Sequence, residues 1–157
     1  MIDRNWLEAI NKGLHGVFSH PDPTGVLDDV DAQTAGKRVP GLPHTIWQLA
    51  RHMEAWAWAG IRKVQGQEFT DPRLGRNYFP TEDAPPSEEE WEAHKAALKR
   101  LPEELAKVAG ELDAAQTFPD WYDISAAQVV MVVLTHTSYH TAQIVALKRL
   151  LGVWKEG

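Results

Sequence analysis

The chain has 157 residues, 43% of them apolar, with seven tryptophans, no cysteine and a formal net charge of −6. That size suits one folded domain over residues 1–157, and the missing cysteine excludes disulfides, a thiolate nucleophile and thiolate metal ligands, leaving imidazole or oxygen to hold any ion. Negative charge without a basic patch argues against a nucleic-acid partner, and no apolar run reaches the ~18 residues of a membrane span or forms a signal peptide, so a cytoplasmic protein that meets no membrane is expected.

The first helix is expected from about Asp3 to Phe18, where Leu7, Ile10, Leu14 and Val17 or Phe18 repeat at helical spacing with Trp6 beside them. Asp3 or Asn5 can cap its start, and His20-Pro21-Asp22-Pro23 ends it. Residues 20–44 read as a loop rich in Pro, Gly and Asp. It holds one short helical turn around Val26, Leu27 and Val30 and breaks firmly at Pro40-Gly41-Leu42-Pro43. A second helix opens on the capping box of Thr45 and Gln48 and ends near Gln65-Gly66. Ile46, Leu49, Met53 and Trp56 line one face, with Ala50, Ala57 and Ile61 beside them, and His52 joins that face. From Gly66 to Pro86 runs a linker carrying Leu74, Tyr78 and Phe79. A loop of that length is a functional cover or a crossover between parallel helices.

Ser87-Glu88-Glu89-Glu90 caps a third helix with a solvated acidic start, and Trp91, Leu98, Leu101, Leu105, Val108 and Leu112 give it an apolar seam. Pro102 is expected to kink that helix or begin a second segment. In the connection that follows, Phe118-Pro119-Asp120-Trp121-Tyr122 should pack over one end of the helices. Ser125 and Gln128 cap the last helix, which is apolar almost all round and stops at Gly152 after Lys148 and Arg149. Four helices and no strand make an all-α four-helix bundle.

Three polar side chains interrupt the last helix: His136, His140 and, one turn further, Gln143. Positions three and four apart share one helix face, so the two imidazoles present their nitrogens to one point. Such a pair either holds a metal ion or satisfies itself within a core hydrogen-bond network. Depth decides whether a third ring joins them. His52 lies about 18 Å from the end of its helix, and the midpoint of His136 and His140 about 20 Å from the start of theirs. If the two helices run antiparallel with ends level, all three rings fall in one layer; parallel helices would offset them by roughly 10 Å. Three imidazoles would leave coordination positions open, as catalytic metal sites do.

Thr137 stands where the H-E-x-x-H metalloproteases carry their glutamate base, which excludes that class. Glu54, two residues from His52, should point elsewhere. Gln143 reads either as an amide orienting a ligand histidine or as a buried amide bonded to a neighbouring helix. His15, His20 and His94 read as surface residues, and His44 as a hydrogen-bonding group or the mouth of a pocket. Trp47, Trp56 and Trp58 either wall a pocket or fill the core.

Thr45-Ile46-Trp47-Gln48-Leu49-Ala50-Arg51-His52-Met53 and His136-Thr137-Ser138-Tyr139-His140-Thr141-Ala142-Gln143-Ile144, with the closing Leu151-Gly152, resemble the DinB/YfiT-like family of metalloenzymes, the DinB superfamily. Helix order and loop lengths resemble it along the whole chain. The resemblance implies an up-down-down-up bundle, its second and third helices parallel across the long linker and its second and fourth antiparallel. It implies one divalent ion, zinc or nickel, held by His52, His136 and His140. Since some relatives are S-transferases or isomerases, it also implies a low-molecular-weight thiol as cosubstrate, and it implies a homodimer. Taken with the residues, this makes the chain a metal-dependent enzyme acting on a small-molecule substrate, as a thiol-dependent S-transferase or a small-molecule hydrolase. The alternatives are a stress-related metal- or ligand-binding bundle without catalysis, and a bundle whose histidines only hydrogen-bond in the core.

Overall fold

The computed structural model describes residues 4–17, 19–113 and 115–155. Its helices are α1 (Arg4–Leu14), α2 (Ala32–Ala35), α3 (Ile46–Val64), α4 (Glu88–Glu111) and α5 (Ala126–Leu150). The three long ones begin where a side-chain oxygen takes over an orphan backbone N–H. Thr45 with Gln48, and Ser125 with Gln128, form complete capping boxes at α3 and α5, and Ser87 caps α4. α1 ends at Leu14, short of the Phe18 expected, because Gly16 turns the chain at φ +67°; a Cβ there would lie 2.3 Å from the His20 carbonyl oxygen. Asp3 and Phe18, expected as a cap and a stripe residue of this helix, lie outside the described residues.

Val26, Leu27 and Val30 are buried in turns, and the short helix of this loop is α2 just after them, capped by Asp31. Their segment is held by α4 and α5. The Val30 carbonyl accepts from Trp91 Nε1 at 2.6 Å and Lys95 Nζ at 3.3 Å, and the Val26 carbonyl from Lys148 Nζ at 2.8 Å. Buried backbone oxygens need such partners.

Packing partners fix the helix directions. Along α3, His52 meets His136 and His140 while Gly60 meets Val133 and Val129, so α3 and α5 are antiparallel. Trp47 meets Trp91 and Glu54 meets His94, so α3 and α4 run the same way. Leu7 lies at Gly110 and Leu14 among Leu98, Leu101 and Leu105, which sets α1 against α4. The order is up-down-down-up, and the linker between α3 and α4 is the return crossover.

Two expectations are corrected. Pro102 lies inside one continuous α4 and begins no second segment. It forfeits a single backbone bond, to the carbonyl of Leu98, while its burial beside Leu98, Leu101 and Leu105 keeps the helix seated. Second, β1 (Thr117–Phe118) and β2 (Ile124–Ser125) pair antiparallel, Thr117 opposite Ser125 and Phe118 opposite Ile124, where no strand was expected. Strands this short carry no readable alternation. The hairpin seats Phe118 and Trp121 on the bundle as expected but leaves Tyr122 92% exposed.

A Cβ at Gly60 would lie 2.7 Å from Val133 Cγ2, so glycine permits the close approach of α3 and α5. Gly60→Val is expected to lower stability by about 1–3 kcal/mol through overpacking, read as a lower urea midpoint. Val133→Ala in the same chain makes room and should recover part of the loss.

Candidate metal centre

α3 supplies His52, and α5 supplies His136 and His140 one turn apart. His136 Nε2 lies 3.0 Å from His52 Nε2 and 3.1 Å from His140 Nε2. One ligand nitrogen from each of the three falls within 4.8 Å of the others, the one such cluster among the described residues. His52 and His140 are buried and His136 half-buried.

Burial is the main cause of their shifted titration. It lowers the pKa of His52 to about 4 and that of His136 to about 3, with the neighbouring imidazoles adding to the effect. His140 is lowered too, chiefly by burial, against an opposing hydrogen bond from Gln143. All three rings are therefore neutral near pH 7, the form that carries a free lone pair.

Hydrogen counting shows what such a cluster fits. His140 Nδ1 donates to Gln143 Oε1 at 2.6 Å, so its Nε2 is a bare lone pair. The buried Nδ1 of His52 faces the backbone carbonyls of Asn77 and Tyr78, which favours the same tautomer. Two lone pairs then point at His136 Nε2, which carries one hydrogen at most. A core network leaves at least one of these contacts unmatched; a cation among the nitrogens satisfies all of them. The 3.0 and 3.1 Å pairs suit nitrogens sharing one ion at about 2.0–2.1 Å, and within the 4.8 Å span of the set the His52 and His140 nitrogens have to lie no more than about 4.2 Å apart to share it.

Aromatic rings enclose the cluster. Phe79 from the linker stacks on His52 at 3.8 Å, and Trp56 lies 5.0 Å from His136 with Trp121 stacked behind it at 5.6 Å. Tyr139 sits 5.0 Å from His140, 63% exposed, its hydroxyl accepting from Gln143 Nε2 at 3.3 Å. Of the three tryptophans weighed from sequence, Trp56 alone reaches the cluster. Trp47 packs in the core against Trp91 and His94, and Trp58 is half-buried under Arg62. His44 stacks on the far side of Phe79 at 4.1 Å, in the outer layer.

His94 is not a surface residue. It is 9% exposed, its Nδ1 2.5 Å from Glu54 Oε2, and Arg51 bonds the same carboxylate at 3.2 Å. Its spacing from Trp91 and Leu98, three before and four after, is the signal that places it on the buried face. Glu54 points away from His52, as expected, and onto His94. Thr137 gives its carbonyl to Thr141 Oγ1 and lines an apolar cavity between the helices. His15 bonds Asp22 and His20 the Pro21 carbonyl, both away from the site. Phe79, Trp121 and Tyr139 are the site residues that sequence reasoning missed. Tyr139 has a signal, four residues before Gln143 and adjacent to His140; the other two arrive from loops.

A four-helix bundle with a buried three-imidazole cluster between two antiparallel helices defines a class of proteins fitted to bind a metal ion. The family model described as DinB superfamily matches residues 22–144, a span that takes in His52, His136, His140 and Gln143, and the chain belongs to that superfamily. No curated protein and no solved structure matches the chain. Among the described residues no helix is long and apolar enough to cross a membrane.

The titration has a consequence for stability. Folded His52 and His136 stay neutral down to about 4 and about 3, whereas unfolded imidazoles take up protons below about 6.5. Between those limits the unfolded chain binds more protons, so stability is full above about pH 6.5 and falls as the pH drops through the window. Urea midpoints of metal-stripped protein are expected to decline from about pH 7 to about pH 4, and less steeply in His136→Phe.

Proposed function

We propose that the chain binds one divalent ion, zinc or nickel, through His52, His136 and His140, and uses it in a reaction on a small molecule. The observation that carries this reading is the convergence of three imidazole nitrogens, with His136 Nε2 3.0 and 3.1 Å from the other two and the Nε2 lone pair of His140 aimed inward by the bond from its Nδ1 to Gln143. Three protein ligands leave positions for water or substrate, and a bound ion there supplies Lewis acidity and lowers the pKa of a coordinated water or thiol.

The chain's own residues then have definite tasks. Gln143 holds the His140 ring by Nδ1, fixing the nitrogen that faces the site. Trp56, Trp121 and Phe79 form an apolar wall, and Tyr139 offers a hydroxyl at the open side. The chain has no cysteine, so a thiolate nucleophile has to arrive with a low-molecular-weight thiol. Thiol-dependent S-transfer is the form of the reaction we favour, and hydrolysis of a small molecule is its competitor. Glu54, the carboxylate on α3 nearest His52 in sequence, is engaged by Arg51 and His94. That engagement favours a reaction without a strong protein base, and equally a second reading in which the bundle binds metal or ligand without catalysis. A homodimer, a cytoplasmic location and a single domain over residues 1–157 belong to the same proposal.

Protein purified without a histidine tag is expected to carry roughly one zinc or nickel ion per chain by elemental analysis. His136→Ala should lose it, and Gln143→Leu should keep it with about 10–100-fold weaker affinity. A wild-type chain free of metal after incubation with either ion overturns the reading. Turnover of an electrophile in the presence of a physiological thiol, absent in His136→Ala, would separate the enzyme from the binding bundle.

A further inference from the structure

We propose that residues 75–80 of the linker are a clasp that closes on His52 when the ion is bound; the inference rests on the three-histidine reading above. The turn is closed on itself. Leu74 and Pro80 form an antiparallel bridge, Gly75 N donates to the Phe79 carbonyl at 2.7 Å, and Tyr78 N to the Gly75 carbonyl at 3.2 Å. Inside it, Asn77 and Tyr78 both hold left-handed backbone, at φ 59° and 61°. Residues other than glycine seldom adopt that conformation.

The strained pair does two things at once. It drives Phe79 between two imidazoles, nearly parallel to both: 3.8 Å and 7° on His52, 4.1 Å and 10° on His44. It also brings the Asn77 and Tyr78 carbonyls to the His52 ring, whose buried Nδ1 nonetheless completes no hydrogen bond. Nδ1 thus lacks the bond that orients most metal-ligating histidines, a ring N–H donated to a backbone carbonyl. With Nε2 engaged at the site, the proton stays on Nδ1 and the ring is fixed, and a movement of the turn completes that bond. Tyr78 packs edge-on against Trp56 at 6.3 Å, so closure also sets the aromatic wall beside His136. Occupancy of the site and order of its cover become one event.

Hydrogen–deuterium exchange of the full, untagged chain with and without zinc alone tests this. Amides of residues 74–80 are expected to exchange at least about tenfold more slowly with zinc bound. Phe79→Leu, which keeps apolar bulk but loses the stacking, should bind zinc about 10–100-fold more weakly and show no zinc-dependent protection of the turn, while Phe79→Tyr restores both. Should Phe79→Leu fail to fold, Asn77→Gly, which holds the same φ without strain, is expected to show the zinc-dependent protection of the wild type. Zinc bound at about one per chain and lost in His136→Ala, with exchange of 74–80 unchanged, overturns the clasp and leaves the ligand set standing. No zinc bound at all overturns both.

Discussion

The site exists because α3 and α5 run antiparallel at close range. Gly60 presents no side chain at their contact with Val129 and Val133. About 12 Å further along α3, at about 1.5 Å per residue, the same contact puts His52 against His136 and His140. The flanking layers are apolar, with Met53, Ala57 and Ile61 buried on α3 and Val129, Val133 and Ile144 on α5. In such surroundings an imidazolium loses more hydration than the ring contacts return, so the three histidines stay neutral. A neutral imidazole keeps a lone pair. The burial that makes these residues awkward for a core is what makes them a ligand set.

Formal charge is kept to another face of α3. Arg51 pairs with Glu54 and with Asp71 of the linker, Glu54 reaches His94, and Arg73 joins Asp71 to Glu90 on α4. Nearer the start of α3, Thr45 Oγ1 donates to the Asp83 carbonyl at 2.6 Å and Gln48 Nε2 to the Asp83 carboxylate at 3.3 Å, while Arg38 pairs with the same carboxylate. The linker is thus pinned to α3 at Asp71 and again at Asp83. The segment between those pins spans the imidazoles and presents Phe79 to them. A loop of this length is ordinarily mobile; here it is anchored by a partly buried ion pair at Asp71 and by partly buried hydrogen bonds and an exposed ion pair at Asp83, and its middle rests on aromatic stacking.

Much of this was legible in the sequence because it rests on helical periodicity and capping. Thr45 with Gln48 and Ser125 with Gln128 mark two helix starts, and the depths of His52, His136 and His140 put the rings in one layer once the helices run antiparallel, the direction that the family resemblance implies and the structure has. What escaped depends on contacts between elements. His94 read as a surface residue, near a helix end or on a polar face, yet the face it shares with Trp91 and Leu98 turns inward onto Glu54. The early end of α1 turns on Gly16, whose positive φ and missing Cβ leave room for the His20 carbonyl, and no apolar stripe encodes that. Phe79 reaches His52, and Trp121 stacks on Trp56, from segments whose path is set by ion pairs and a hairpin of two-residue strands, and neither leaves a periodic trace.

The polar chain behind His140 bears on which chemistry suits the site. His140 Nδ1 donates to Gln143, and Gln143 donates to the Tyr139 hydroxyl, so the ring is tied through an amide to a phenol at the surface. An amide orients a ring but takes no proton, whereas a carboxylate in that place would pull the Nδ1 proton and make the ring more basic. Thr137 offers no substitute: it faces the bundle interior and its carbonyl is used within α5. Proton transfer at this cluster therefore has to be easy to begin with. Under the proposal above a thiol brings such a proton, its pKa of about 8.5 being already near neutrality, and so does a water on a bound ion, whose pKa falls to about 7. Imidazoles that are well oriented but unassisted by a carboxylate therefore suit a nucleophile activated by coordination.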